Sequence, residues 1–202
     1  MKSDILPNPV NNLTTHYGTT MILAVKNRDD FSSGPMAFIP NNLGERNWQV
    51  VTSGSTLTNL DFLRSQGVDV NYYQNNGYKF ITFFLWLLRP AARGSISFNP
   101  STKSPILKLG YFEEETDRNE IVSGLRYLRD VYFHMKKQIN SPEDTLVIYP
   151  NESVFDNNNY DELLQAAKIG VSSTDHYCST ISYSTLLNKD FSLKTHPRIH
   201  VV

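Results

Sequence analysis

The hydrophobic pattern changes period several times along the chain. Residues 17–26 run Tyr-Gly-Thr-Thr-Met-Ile-Leu-Ala-Val-Lys, apolar and β-branched, and read as a strand. Residues 27–56 read as loop, broken by Gly34-Pro35, Pro40-Asn41-Asn42 and Gly44. A short helix follows, with Thr58 as N-cap, Leu60 and Leu63 on one face and Gly67 at the C′ position. Residues 68–74 and 79–88 read as two strands of a hairpin across Asn75-Asn76-Gly77, because Asn and Gly tolerate positive φ. The run Phe80 to Leu88 is apolar on both faces, which places it centrally in a sheet. Arg89-Pro90 ends it, and 94–99 and 105–110 are shorter strands.

From Asp117 to Ile139 the period becomes helical. Ile121, Leu125, Leu128, Tyr132, Met135 and Ile139 recur at spacings of three and four and form one apolar stripe. Asp117 and Glu120 have capping-box spacing, Lys136-Lys137 suit the C-terminal dipole, and Glu113-Glu114-Glu115 read as a solvated turn before it. A strand at 145–149 comes next, then a helix at 160–168 with Asn159 and Glu162 as cap pair and Gly170 as stop. Residues 171–183 read as extended. Strands come first and helices mixed with strands later, so the expected class is α+β, a mainly antiparallel sheet backed by helices. Residues 1–13, rich in Pro and Asn, are an expected lead-in, and 14–202 the expected domain.

Composition narrows the classes of function. Hydrophobic residues make up 40% and charged residues 19%, the balance of a globular chain rather than a disordered one. The formal net charge is −1 and the Lys and Arg residues form no stripe, so neither nucleic acid nor a membrane surface is an expected partner. The single cysteine, Cys178, excludes an intrachain disulfide and a Cys-based metal site. The start, Met1-Lys2-Ser3-Asp4, has no apolar signal region, and the longest apolar run, Phe83 to Leu88, is too short to span a bilayer. As written the chain reads as cytoplasmic, and a longer form with a different N-terminus is compatible with secretion. Two sequons, Asn12-Leu13-Thr14 and Asn151-Glu152-Ser153, mean little without an export signal. His196 and His200 are four apart, but Pro197 and a strand-like context argue against a helical metal pair. Tyr72-Tyr73 and Phe83-Phe84 read as core and sheet residues rather than a ligand box.

The most informative stretch is Leu88-Arg89-Pro90-Ala91-Ala92-Arg93-Gly94-Ser95-Ile96-Ser97-Phe98, then Pro105-Ile106-Leu107, Tyr111-Phe112, Asp117 and Gly124-Leu125-Arg126. In order and spacing it resembles the C-terminal signature of the glucose-methanol-choline (GMC) oxidoreductase family. Four more stretches are similar to family segments. Ile5 to His16 resembles the lead from the flavin domain into the substrate domain, with Thr15 where the family has Asp. His176-Tyr177-Cys178-Ser179-Thr180 resembles its His-x-x-Gly-Thr-Cys motif. Leu186-Leu187-Asn188 and Ile199-His200-Val201-Val202 resemble its closing strands. The style is that of insect glucose dehydrogenase-like members.

The resemblance implies the fold of the GMC C-terminal, substrate-binding domain. It also implies an FAD-dependent oxidation of CH–OH donors in which His176 holds the general-base position over the flavin. Such a base needs a near-neutral pKa and reach to the substrate hydroxyl. Read from the residues alone, a histidine beside Tyr177 at a strand end is also an ordinary polar residue with a backbone partner. Ser179, Ile181, Tyr183 and Ser184 stand where the family has Gly, Cys, Met and Gly. A side chain at a family glycine implies a flavin face released from close backbone approach.

The family holds FAD by a Gly-x-Gly-x-x-Gly turn at a helix N-terminus, where bare backbone meets the pyrophosphate. The ten glycines of this chain are never closer than ten residues, so that turn is absent from the sequence. FAD is therefore expected to be the family's cofactor but not to bind this chain alone. Three readings follow: the substrate-binding part of a GMC enzyme, a non-catalytic binding module derived from one, or a decaying gene product. The expected partners are a small alcohol or sugar-like ligand, a flavin domain, or a second copy of the chain.

Overall fold

The computed structural model describes residues 9–26, 33–41, 43–102, 104–138, 142–181 and 185–201. Residues 5–8 of the lead motif, the helix end at Ile139, and Tyr183 and Ser184 lie outside them.

Eleven strands and five α-helices alternate along the described chain: β1 Val10–Leu13, β2 Tyr17–Lys26, β3 Met36–Pro40, β4 Arg46–Ser53, α1 Leu60–Ser65, α2 Val70–Asn75, β5 Tyr78–Leu87, β6 Gly94–Phe98, β7 Pro105–Lys108, α3 Glu115–Gln138, β8 Thr145–Tyr149, α4 Glu152–Asn157, α5 Tyr160–Ile169, β9 Ser172–Ser173, β10 Ser192–Leu193 and β11 His196–His200. The main sheet has the order β3-β4-β5-β2-β8, with β9 also paired to β2. A second sheet is β1-β6-β7, and β10-β11 form a hairpin. Every strand pairing in the three is antiparallel. The α+β expectation holds.

The sheet's period-two alternation sets the layers. On β2, Tyr17, Met21, Leu23 and Val25 face one side and join Phe83, Leu85 and Leu87 of β5. Against them pack Ile121, Leu125, Leu128 and Tyr132 of α3, with Phe155 of α4 and Leu163 of α5. Burial of each such side chain is worth about 1.5–3 kcal/mol, so the α3 stripe anchors the fold. On the other side, Ile22, Ala24 and Phe80 meet Leu63 of α1 and Val70 of α2. Strand β5 lies between β4 and β2, which is the central place its two apolar faces require.

Several local expectations are corrected. Residues 68–74 are not a strand: Asp69 caps a helix, its carboxylate accepting from Tyr72 N at 3.0 Å. Gly77, at φ +79°, follows that helix rather than turning a hairpin. Tyr72 is consequently exposed on α2 rather than buried in a sheet. The loop expected over 27–56 contains the β3-β4 hairpin, and the breakers Gly34-Pro35 and Pro40-Asn41 flank its strands. The cap of α1 is Asn59, which accepts from Phe62 N at 2.9 Å, because Thr58 is drawn off to Thr82 Oγ1 at 2.8 Å. The capping box in α3 does not form. Asp117 lies inside the helix, and Glu120 accepts from Asn41 Nδ2 at 3.0 Å. Helix α4 was not anticipated. The Asn159 cap is as expected, accepting from Asp161 N and Glu162 N.

Candidate functional site

The signature stretch between Leu88 and Arg126 turns out to be a clamp. Asp117 is 2% exposed, and its carboxylate accepts from Ala91 N at 2.7 Å, Ala92 N at 2.9 Å and Tyr17 OH at 3.0 Å. Tyr17 OH in turn accepts from Phe112 N at 3.1 Å, and burial pushes the Tyr17 phenol well above its ordinary pKa. The Arg93 guanidinium donates to the carbonyls of Pro90, Ala91 and Ala92. A Cβ on Gly94 would lie 2.0 Å from Lys108 O, so β6 and β7 close only over a bare backbone. These residues join the end of β5, the small sheet and the start of α3. Its two central side chains, Asp117 and Tyr17, are buried.

The clamp fixes the start of β2, and residues 14–18 bind the segment after α5. Ser173 and Ser172 pair with Tyr17 and Gly18. Thr174 N donates to His16 O at 3.1 Å. Thr14 and Cys178 exchange both backbone bonds, at 3.0 and 2.9 Å. His176 thus sits on a short exposed loop held at both ends, and its ring meets that of His16 edge-on, with centroids 5.4 Å apart and planes at 73°. His16 is half-buried, its Nδ1 is shut from solvent, and that atom has no hydrogen-bond partner among the described residues. Burial first, and the charge of His176 second, hold the His16 imidazole below the usual histidine pKa. The sequence marks His16 only as the end of the lead motif. Both motifs carry a histidine, but no local spacing links them, so the pair emerges only from the folded chain.

Around the pair, Tyr177 OH donates to Asp175 Oδ1 at 3.0 Å, and the Cys178 thiol is exposed. Ser179, where the family has glycine, keeps a left-handed backbone at φ +71°. The segment therefore still has glycine's conformation without a glycine. Beside it, the sheet face opposite α3 carries Phe84 stacked on Trp86 at 5.5 Å, and Trp86 Nε1 donates to Ser172 Oγ at 3.1 Å. A cavity of about 150 Å³ opens there, lined by Thr20, Asn59, Thr82, Phe84 and Ser172 among others. His196 and His200 lie at the two ends of strand β11, not on a helix.

A dinucleotide does not fit the helix N-termini described. Asp61 opens α1, Glu115 and Asp117 open α3, Glu152 opens α4, and Asp161 and Glu162 open α5. Helix α2 is capped by the Asp69 carboxylate. Each places negative charge where a pyrophosphate needs bare N–H groups and a positive dipole end. Among the described residues every strand pairing is antiparallel, so none forms a parallel βαβ crossover for such a ligand.

A family model described as GMC oxidoreductase matches residues 90–202. Among solved structures, the fold is similar to pyridoxine 4-oxidase from Mesorbium loti, at TM-score 0.67 and 15% sequence identity. The match covers 94% of this chain and 37% of that oxidase, so the chain spans little more than a third of its length. No curated protein matches.

Proposed function

Because this chain belongs to the GMC oxidoreductase family, we propose that it serves as the substrate-binding part of an FAD-dependent oxidoreductase acting on CH–OH donors, and does not turn over by itself. The family is FAD-dependent in general. In this reading the chain binds an alcohol or sugar-like donor on the sheet face that carries Thr20, Phe84 and Trp86, and His176 accepts the hydroxyl proton. The electron-accepting half belongs to a flavin-binding part, since the helix N-termini described here repel a pyrophosphate. The glucose dehydrogenase-like subtype is part of the same proposal and rests on the signature residues alone.

The observation that supports it most is the exposed His176 loop, tied at Thr174 and Cys178 to residues 14–16; further along the same sheet face, Thr20, Thr82 and Ser172 add hydroxyls to a cavity lined mainly by apolar side chains such as Ile22, Phe62 and Phe84. Such lining suits a small polar donor. Docking of the flavin-binding part is supported by a second feature. Ile96, Phe98, Pro105 and Leu107 share one face of the β6-β7 pair, and Phe98 and Leu107 are 51% and 53% exposed. An apolar face of this kind is either covered by a partner or pairs two copies.

The test is a titration of the chain with primary alcohols and aldoses, followed by the imidazole resonances of its histidines. Saturable shifts at His176 and His16, with His134 on α3 unmoved, are the expected result. Equal shifts at all histidines, or none at any concentration, would contradict it. A second reading, a non-catalytic binding module, is favoured by one observation: Ser179 occupies a left-handed position that the family fills with glycine. It differs in requiring that His176→Gln leave ligand affinity unchanged. No helix among the described residues is long and apolar enough to cross a membrane.

A further inference from the structure

The outer edge of β8 is a feature that the donor site does not use. This strand ends the main sheet: it pairs with β2 on one side, and among the described residues no strand pairs with the other. Natural edge strands are blunted by lysine, proline or an inward charge. Thr-Leu-Val-Ile-Tyr has none of these within the strand.

The edge forms the floor of an open groove of about 940 Å³ between α2 and α5. Tyr73, Ile148 and Ile169 provide apolar surface in it. Its charged lining is Asp69, Glu152, Asp161 and Glu162, and no Lys or Arg lines it among the described residues. Glu152 is matched by Lys136 at 2.9 Å. Asp161 and Glu162 are exposed and have no ion pair among the described residues.

We propose that this edge takes up an extended, basic segment of another protein as an added strand. The backbone of the segment pairs with β8. Its apolar side chains alternate onto Tyr73, Ile148 and Ile169, and its Lys or Arg side chains reach Asp161 and Glu162. Strand addition draws affinity from main-chain bonds and specificity from alternate side chains, and the acidic wall supplies the sign of the partner's charge. A second copy of this chain is the poorer occupant, because pairing β8 with itself brings two acidic walls together. A small cation is poorer too, because it leaves the strand edge unpaired.

Fluorescence anisotropy on the full chain tests this with a labelled peptide of alternating lysine and valine. Controls are the same peptide N-methylated at alternate residues, in both phases, and a glutamate-valine counterpart. Saturable binding is expected for the lysine peptide, with affinity reduced about tenfold or more for the glutamate peptide and for the D161K/E162K variant. One phase of N-methylation abolishes binding, and hydrogen exchange at Leu146–Ile148 slows in the complex. The N-methylated peptides keep the test independent of whether the variant folds. Absence of binding, equal binding of both N-methylated phases, or a dimer that forms through β8 and ignores the peptide would each overturn the proposal.

Discussion

Substituting Asp117 tests most sharply whether the signature stretch is a clamp. The wild-type carboxylate is 2% exposed and accepts three hydrogen bonds, from Ala91 N, Ala92 N and Tyr17 OH. Asp117→Ala leaves those three donors buried without an acceptor. Each stranded donor costs about 1–3 kcal/mol, and water entering the vacated space offsets part of the sum, so the expected loss is about 3–5 kcal/mol. A domain has about 5–15 kcal/mol in total, which leaves the alanine variant close to its folding limit. Asp117→Asn keeps one acceptor oxygen and is expected to lose about 2 kcal/mol. Tyr17→Phe removes one donor to Asp117 and strands Phe112 N, at about 1–2 kcal/mol. Urea unfolding followed by tryptophan fluorescence reads these as midpoint shifts at unchanged slope. Because the two side chains touch, the Asn and Phe substitutions combined should depart from additivity by about 0.5 kcal/mol or more. If Asp117→Ala moves stability by less than about 0.5 kcal/mol, the range of an ordinary surface change, the clamp interpretation fails.

Ser179→Gly relieves a side chain from a left-handed backbone and should stabilise the chain by about 1 kcal/mol, read as a higher thermal midpoint. Two close-approach glycines should differ in their response to alanine. At Gly94 the new Cβ meets backbone, Lys108 O at 2.0 Å, whereas at Gly124 it meets the movable end of Leu85 at 2.5 Å. Gly94→Ala is therefore expected to be the more destabilising of the two, and Gly124→Ala to cost about 1–3 kcal/mol less the gain in helix propensity; equal midpoints would refute the ranking. His16 should titrate below an ordinary histidine in an NMR pH series, and His176→Ala should raise it only in part, since burial is the larger cause. The folded chain then binds fewer protons at His16 than the unfolded chain. Stability is highest above the ordinary histidine pKa and declines as pH falls through that value toward the folded one, a slope that His16→Asn should reduce.

The parts of the fold written in long, one-period stretches could be read directly. The α3 stripe and the two-faced β5 run each had one strong signal, and both took their expected place. Asn159 worked as a local cap for the same reason: its partners are the next two or three residues. Errors arose where a local signal competed with a distant partner. Asp117 and Glu120 have the spacing of a capping box, but Ala91, Ala92, Tyr17 and Asn41 engage them instead. Asn75-Asn76-Gly77 serves a helix end as readily as a hairpin, and the Asp69 cap decided between them. The β3-β4 hairpin was hidden because Gly34-Pro35 and Pro40-Asn41-Asn42 bracket its short first strand and read as loop. The motif around His176 can be read locally, while the contact of His176 with His16 depends on two segments at opposite ends of the chain.

If the chain is the substrate-binding part proposed, with acidic side chains at its described helix starts, FAD does not stay on it alone. Incubating the purified chain with FAD, removing free ligand and recording the visible spectrum tests that claim directly. A colourless protein is the predicted result. A chain that stays yellow at one flavin per polypeptide, and bleaches when an alcohol is added, would contradict it.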